Sequence, residues 1–238
     1  MLMRLLVSVA SPDDAREAVS GGADIVDAKD PGMGALGAVT LVRLAAIRAA
    51  VGSARPLTAA LGDLVDEANA ESQARAYAQA GAGLVKMGLL GTTTATHAAL
   101  LTAAAVRGAS TGASGVVVVA YADASAALSM SAAAVIDIAA RGAARGVLLD
   151  TLHKDGPGLF GVISPRELDL WVSAAHDAGL LVAVAGKLTA MDLGRVRDSG
   201  ADIAGVRGAA CLGGRSGHVS RALVEALLES CAPTVGSH

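Results

Sequence analysis

The chain alternates short apolar runs rich in β-branched residues with longer Ala-rich segments whose apolar positions recur at helical spacing, and it does so eight times. The apolar runs contain few polar residues, as is typical of parallel strands buried on both faces. The predicted strands are Leu5–Val9, Asp24–Lys29, Pro56–Gly62, Leu84–Gly88, Val116–Tyr121, Gly146–Leu152, Leu180–Gly186 and Asp202–Gly208. Eight strand–helix units predict an α/β fold, a single-domain (β/α)8 TIM barrel.

Glycines at the predicted helix ends support this division. Many helices end in a glycine that can adopt the left-handed cap conformation, as in Ser20-Gly-Gly-Ala-Asp and Arg141-Gly-Ala-Ala-Arg-Gly. An open doubly wound sheet is the alternative, but no G-x-G-x-x-G motif follows the first strand. We expect one catalytic domain over residues 1–232 and a flexible tail over 233–238.

Composition narrows the classes of function. A net charge of -3 and an aromatic content of 2% provide neither a basic patch nor stacking platforms, so we expect no nucleic-acid partner. Hydrophobic residues make up 53% of the 238 residues, yet the apolar runs are too short to span a membrane. Two cysteines without metal-ligand spacing predict a cytoplasmic protein and no metal site. The oligomeric state stays open, a homo-oligomer included.

Lysine usage gives the strongest indication of chemistry. The chain has four lysines against fifteen arginines, and all four lysines lie at or just beyond a predicted strand end. Both residues serve on a solvated surface, but only lysine can lose its proton near neutral pH and attack a carbonyl group. The carboxyl ends of the strands carry the active site in a TIM barrel. The pattern therefore predicts amine chemistry at that end.

The second predicted strand supplies an acid and an amine together. Asp27 and Lys29 are two residues apart, so both side chains point into the barrel while Val26 and Ala28 point outward. A neighbouring carboxylate holds an ammonium charged and burial lowers its pKa, so their balance sets the reactivity of the amine. The alternative is a structural ion pair.

Further candidates follow the fourth and sixth strands. Lys86 lies inside an apolar strand, where it is either a second functional amine or a side chain that extends over the rim. Asp150 is the predicted inward carboxylate of strand six, and Lys154 lies in the Gly- and Pro-rich loop behind it. The roles of His153 and Tyr121 stay open.

The loops after strands seven and eight predict a phosphate site, because bare glycine amides and basic residues occur together there. Ser8, at the end of strand one, joins these residues as a candidate substrate contact. The predicted substrate- or phosphate-binding residues are Ser8, Gly186, Lys187, Arg207, Gly208, Gly213 and Gly214.

The sequence resembles the (5-formylfuran-3-yl)methyl phosphate synthase family over essentially its whole length. The resemblance rests on Asp27-Ala-Lys29-Asp30-Pro31-Gly-Met-Gly, Leu-Val-Lys86-Met-Gly, Leu-Leu-Asp150-Thr-Leu-His-Lys154-Asp-Gly and Ala-Gly186-Lys187-Leu. The family is similar to class I aldolases in fold and chemistry. It makes the furan precursor of methanofuran in methanogens and of the related C1 carrier in methylotrophic bacteria.

The resemblance implies a lyase-type condensation of two glyceraldehyde 3-phosphate molecules into one phosphorylated furan aldehyde, with loss of phosphate and water. Lys29 would form the Schiff base and Asp27 would orient it and relay protons. Lys154 and Asp150 would assist phosphate elimination and dehydration, and Lys86 would be the fifth catalytic residue. The imine serves as the electron sink, so no metal or organic cofactor is implied.

Two alternatives remain from the residues alone. One is another TIM-barrel sugar-phosphate aldolase or isomerase whose lysines only bind phosphate. The other is a non-enzymatic binding protein on a barrel scaffold. Borohydride trapping of an imine at Lys29 separates the first alternative from the synthase, and the second predicts that a charge-conserving change at Lys29 has little effect.

Overall fold

The structure is a computed structural model and describes residues 2–125 and 128–231. Eight parallel strands follow one another around a closed barrel, and the first strand pairs with the eighth. The strands are β1 Arg4–Val9, β2 Ile25–Ala28, β3 Leu57–Asp63, β4 Leu84–Gly88, β5 Gly115–Tyr121, β6 Gly146–Asp150, β7 Leu181–Val184 and β8 Ile203–Val206. The predicted single-domain TIM barrel is confirmed.

One α-helix follows each barrel strand within the described residues. The helices are α1 Pro12–Ser20, α2 Leu41–Val51, α3 Glu67–Gln79, α4 Ala95–Ser110, α5 Ala132–Arg141, α6 Pro165–Asp177, α7 Ala190–Asp198 and α8 Arg221–Cys231. A short antiparallel pair, β9 Cys211–Leu212 and β10 His218–Val219, lies between β8 and α8. This extra pair lengthens the loop after β8, which reaches the barrel mouth.

The core has two layers, as the side-chain period of two requires. Ile25 packs in the inner cluster with residues such as Leu6, Val119 and Leu148 of other strands. Val26 and Ala28 instead belong to the outer cluster, which contains the apolar faces of the helices. Asp27 therefore faces the barrel interior, in agreement with the predicted alternation along β2.

β6 ends earlier than predicted because side-chain carboxylates accept the backbone hydrogen bonds beyond it. β6 ends at Asp150 rather than at Leu152. The carboxylate of Asp150 accepts the N–H of Thr151 at 2.8 Å, and the carboxylate of Asp123 accepts the N–H of Leu152 at 2.5 Å. Because these amides bind carboxylates, they cannot continue the sheet ladder, and the chain turns into the loop that carries Lys154.

The tail expected over residues 233–238 lies outside the described residues. Across residues 2–125 and 128–231, we find no helix that combines the length and the apolar character needed to cross a membrane. The two cysteines, Cys211 and Cys231, are both buried and both free thiols.

The end of α5 departs from the expected glycine cap. Gly142 has an ordinary φ of -80°, and the left-handed conformation falls instead on Ala143, whose φ is 56°. Gly142 is small for a different reason, since a Cβ atom there would lie 2.5 Å from the Cγ2 atom of buried Thr102. The glycine permits close packing against α4, and the alanine takes the backbone strain.

This arrangement predicts opposite effects at two adjacent positions. Gly142→Ala would force the Thr102 contact and lower the free energy of unfolding by about 1–3 kcal/mol. Ala143→Gly would relieve the left-handed alanine and raise it by about 0.5–1 kcal/mol. Denaturant unfolding of both variants beside the wild type measures the two changes. If Gly142→Ala were as stable as the wild type, the close-packing explanation would be wrong.

Candidate active site

A cavity of about 410 Å³ lies at the carboxyl ends of the barrel strands. Most of the residues predicted from sequence line it, although they come from six different strands or strand-end loops. The predicted residues at its wall are Ser8, Lys29, Lys86, Asp150, Lys154, Gly186, Lys187, Arg207 and Gly208. The remaining three, Asp27, Gly213 and Gly214, lie outside the wall. As expected for a TIM barrel, residues that are far apart in sequence lie together at the carboxyl ends of the strands.

Asp27 is fully buried behind the cavity wall and accepts three side-chain hydrogen bonds. The donors are the Ser8 hydroxyl at 2.9 Å, the Thr58 hydroxyl at 2.6 Å and the Lys86 ammonium at 2.5 Å. Burial alone would raise the pKa of Asp27, but Lys86 and these hydrogen bonds outweigh burial and lower the pKa below its ordinary value. Asp27 is therefore an ionised, fixed carboxylate.

Lys29 follows β2 directly and is also buried. Its Nζ atom lies 3.8 Å from Oδ2 of Asp150, which is an ion-pair distance but too long for a hydrogen bond. Burial lowers the pKa of Lys29 to about 7; Asp150 acts in the opposite direction, and the positive charges of Lys86 and Lys154 lower it further. Lys29 is therefore far more readily deprotonated near neutral pH than an ordinary lysine.

The partners within the cluster differ from those expected. Asp27 was expected to orient Lys29, yet Asp27 binds Lys86, and Lys29 pairs across the barrel with Asp150. Of the groups that shift the pKa of Lys29, Asp27 has the smallest effect. Adjacency along one strand was a poor guide, because a lysine side chain is long enough to reach the opposite wall.

Asp150 links two of the amines, because its carboxylate contacts both Lys29 and Lys154. Its Oδ1 atom accepts a hydrogen bond from Nζ of Lys154 at 2.6 Å as well as one from the backbone N–H of Thr151. Burial would raise the pKa of Asp150, but Lys154 and Lys29 outweigh burial and lower the pKa. The ionised carboxylate can hold or pass a proton between two amines.

The cluster contains three amines and two carboxylates. Lys86 is hydrogen-bonded to Asp27 and Lys154 is hydrogen-bonded to Asp150, so each carboxylate already has one close cation. Lys29 is the third amine, and its charge would be the excess one in a buried site. Since an uncompensated buried charge is costly, charge balance favours the neutral form of Lys29.

The loops after β7 and β8 form the opposite wall of the cavity. Gly186 has a φ of 109°, a conformation that favours glycine, and Lys187 follows with a left-handed φ of 56°. The ammonium of Lys187 donates to the carbonyl of Gly156 and thereby ties the β6 and β7 loops together. Among the described residues, the backbone N–H groups of Gly208 and Ala209 donate to no other group. They are available to an anion.

Arg207 lies at the wall but differs in its contacts from a simple phosphate ligand. Its guanidinium donates to the carbonyls of Arg215 at 2.7 Å, Ser8 at 2.9 Å and Gly217 at 3.1 Å. It also lies 3.5 Å from the buried carboxylate of Asp14. This role could not be predicted from sequence, because the carbonyl of Ser8 comes near Arg207 only when β8 closes the barrel onto β1.

Thr58 was not predicted from sequence, and the sequence leaves the roles of Tyr121 and His153 open. Thr58, which binds Asp27, is the one hydroxyl in the apolar start of β3, and the register places it directly beside Asp27. Tyr121 is buried and donates to Asp63 at 2.9 Å over Gly88, where any Cβ atom would clash with the Asp63 carboxylate. The side chain of His153 is exposed, and its backbone N–H binds Asp123.

The fold and this cluster define a TIM-barrel protein with a buried lysine–carboxylate site at the carboxyl ends of its strands. Among the described residues, no group of three or more His, Cys, Asp or Glu side chains is placed to hold a metal ion. Comparison with solved structures agrees on the fold. A 3-hexulose-6-phosphate synthase structure superposes with a TM-score of 0.67 at 23% identity, covering 97% of this chain and all of that one.

Sequence comparison defines the family. The 4-HFC-P synthase family model matches residues 5–228. A protein of Methanopyrus kandleri named (5-formylfuran-3-yl)methyl phosphate synthase is 39% identical, covering 95% of this chain and 100% of the relative. One of the same name from Methanocaldococcus jannaschii is 37% identical, covering 96% and 100%. The chain belongs to the 4-HFC-P synthase family.

The contacts of Asp27 predict a matched pair of threonine variants. Thr58→Val removes a hydroxyl that donates to a buried carboxylate, so it should lower the free energy of unfolding by about 1.5–3 kcal/mol. Thr92→Val removes an equally buried hydroxyl that has no hydrogen-bond partner among the described residues, so it should be neutral or stabilising. Equal losses in the two variants, measured by denaturant unfolding, would contradict the assigned network.

Proposed function

We propose that this protein is a (5-formylfuran-3-yl)methyl phosphate synthase that condenses two molecules of glyceraldehyde 3-phosphate through an imine on Lys29. Membership of the 4-HFC-P synthase family and the names of the relatives support the product. The observation that carries the mechanism is the buried amine of Lys29, which faces the cavity and has a pKa of about 7. A neutral amine at physiological pH is the form that attacks an aldehyde.

The proposed reaction begins at the aldehyde carbon of the first triose phosphate. The Lys29 amine adds to this carbon, and loss of water forms the imine. Once protonated, the imine withdraws electrons from the adjacent carbon, which can then lose a proton and attack the aldehyde of the second molecule. Two three-carbon units provide the six carbons of the product, and one phosphate and two waters leave. The electron sink is the lysine itself, so the proposal includes no organic cofactor or metal.

The carboxylate of Asp150 supports the proton transfers. It lies 3.8 Å from Lys29 and 2.6 Å from Lys154, which places one base and one acid beside the reacting amine. As the imine becomes cationic, the nearby negative charge stabilises it. Lys154, on a loop rather than a strand, is the proposed acid for departure of phosphate and water.

Asp27 and Lys86 have a different proposed role. Their ion pair is 2.5 Å long, and Lys86 faces the cavity while Asp27 lies behind it. The positive charge of Lys86 helps to lower the pKa of Lys29. Because Ser8 and Thr58 also bind Asp27, the pair holds this charge at a fixed position through the reaction.

The phosphate groups are proposed to bind on the wall formed by the β7 and β8 loops. Gly186, Lys187 and Gly208 line the cavity there, and α7 begins three residues beyond Lys187. Free backbone amides and a lysine ammonium suit a phosphate dianion. We also propose that the protein is cytoplasmic, in keeping with its two free, buried cysteines.

Incubation with glyceraldehyde 3-phosphate alone tests the proposal. The wild type should produce a furan aldehyde with near-ultraviolet absorbance and release inorganic phosphate. Lys29→Arg keeps the positive charge but cannot form an imine, so the rate should fall by at least about 1,000-fold.

Arg75→Lys, on the exposed face of α3, is the control for substitution itself and should keep wild-type activity. If the wild type yielded only an isomer of the triose phosphate, the alternative of a sugar-phosphate isomerase would replace the proposed function. Full activity of a correctly folded Lys29→Arg variant would exclude the imine mechanism.

A further inference from the structure

Arg215 is a cavity residue at the end of the loop for which a phosphate site is predicted, but it is not among the predicted site residues. It lies in the loop between β9 and β10, is partly buried, and lines the cavity together with Gly208 and Ala209. Its Nη2 atom donates to the carbonyls of Pro31 at 3.2 Å and Gly34 at 2.7 Å. The side chain therefore crosses from the β8 loop to the loop that directly follows Lys29 and Asp30.

The remaining donors of Arg215 are unused. Across residues 2–125 and 128–231, neither Nε nor Nη1 donates to a protein group, and no carboxylate forms an ion pair with this guanidinium. Arg207, in contrast, pairs with Asp14 and donates hydrogen bonds to three backbone carbonyls. Of the two arginines at this wall, Arg215 is therefore the one whose positive charge and free N–H donors can bind a ligand.

Arg207 fixes the backbone from which Arg215 extends. It binds the carbonyl of Arg215 itself at 2.7 Å and that of Gly217 at 3.1 Å. Gly208 packs close to the same backbone, since a Cβ atom there would lie 3.5 Å from the N atom of Arg215. The free amides of Gly208 and Ala209 and the guanidinium fork of Arg215 are therefore held on one rigid loop.

We propose that Arg215 is a specificity-determining residue that binds a phosphate group of the substrate at the β8 side of the cavity, with Arg207 as the positioning residue that holds it there. The planar fork of a guanidinium matches two oxygens of a phosphate monoester, and the neighbouring amides can bind a third. The inference rests on the proposed function for the identity of the substrate, a triose phosphate. It assigns to Arg215 the selection of phosphorylated over unphosphorylated aldehydes.

A comparison of two aldehydes that differ only in phosphate tests this assignment. Cyanoborohydride converts imines into stable alkyl-lysines, so the aldehyde concentration that gives half-maximal labelling of Lys29 reports binding. For Arg215→Met, this concentration should rise about 10- to 100-fold with glyceraldehyde 3-phosphate, the loss expected for charge-assisted hydrogen bonds. With glyceraldehyde it should stay at the wild-type value.

Arg43→Met is the matched control. Arg43 also holds the loop after β2, through Asp30 at 3.1 Å, but does not line the cavity. This variant should match the wild type with both aldehydes. If Arg215→Met weakened the binding of both aldehydes equally, Arg215 would only support the loop. If the variant weakened the binding of neither aldehyde, Arg215 would bind no phosphate. Either result overturns the inference.

Binding of inorganic phosphate to the full-length protein, followed by ³¹P NMR, separates this inference from the proposed reaction. Arg215→Met should bind phosphate about 10- to 100-fold more weakly than the wild type. That loss would support Arg215 as a phosphate ligand even if no furan aldehyde were ever formed. Unchanged phosphate affinity would overturn the assignment even in a protein that makes the furan product.

Discussion

The excess of one buried amine over the buried carboxylates is the constraint on which the site depends. Asp27 and Asp150 each hold one lysine by a short hydrogen bond, and Lys29 is left with a longer ion pair of 3.8 Å. Two ion pairs saturate the available negative charge, so the third amine can stay buried most cheaply when it is neutral. The low pKa of Lys29 therefore follows from burial and from the charges of the whole cluster rather than from one neighbour.

Burial of the Lys29 amine destabilises the folded state, and the packing of the barrel core compensates for this loss. Lys29 has a pKa of about 7 in the folded state against an ordinary value of 10.5. Between these values this group binds more protons in the unfolded chain, so the contribution of Lys29 to stability rises with pH from about 7 to about 10.5 and is least favourable at and below neutrality. The closed sheet and its two apolar layers stabilise the folded state enough to keep the amine in place.

Local pattern was sufficient for the fold but not for the pairing of side chains. The side-chain period of two along β2 correctly predicted that Asp27 faces the barrel interior. The scarcity of lysine and its position at strand ends identified Lys29 as a candidate amine. The partnership of Lys29 with Asp150 depends on where two distant strands lie around the closed barrel, which no local pattern encodes. The same holds for Arg207, expected at a phosphate but bound to the carbonyl of Ser8. Closure of β8 onto β1 creates that contact.

Direct titration of the lysines is the most direct test of the central claim that Lys29 is the neutral amine. With only four lysines in the chain, protein labelled with ¹³C at lysine Cε should give four resolvable NMR signals, and Lys29→Arg assigns one of them. We predict that the Lys29 signal titrates with a midpoint near pH 7. A midpoint near the ordinary value of 10.5 would contradict it, and so would a neutral-range midpoint that belongs to Lys86 or Lys154 instead.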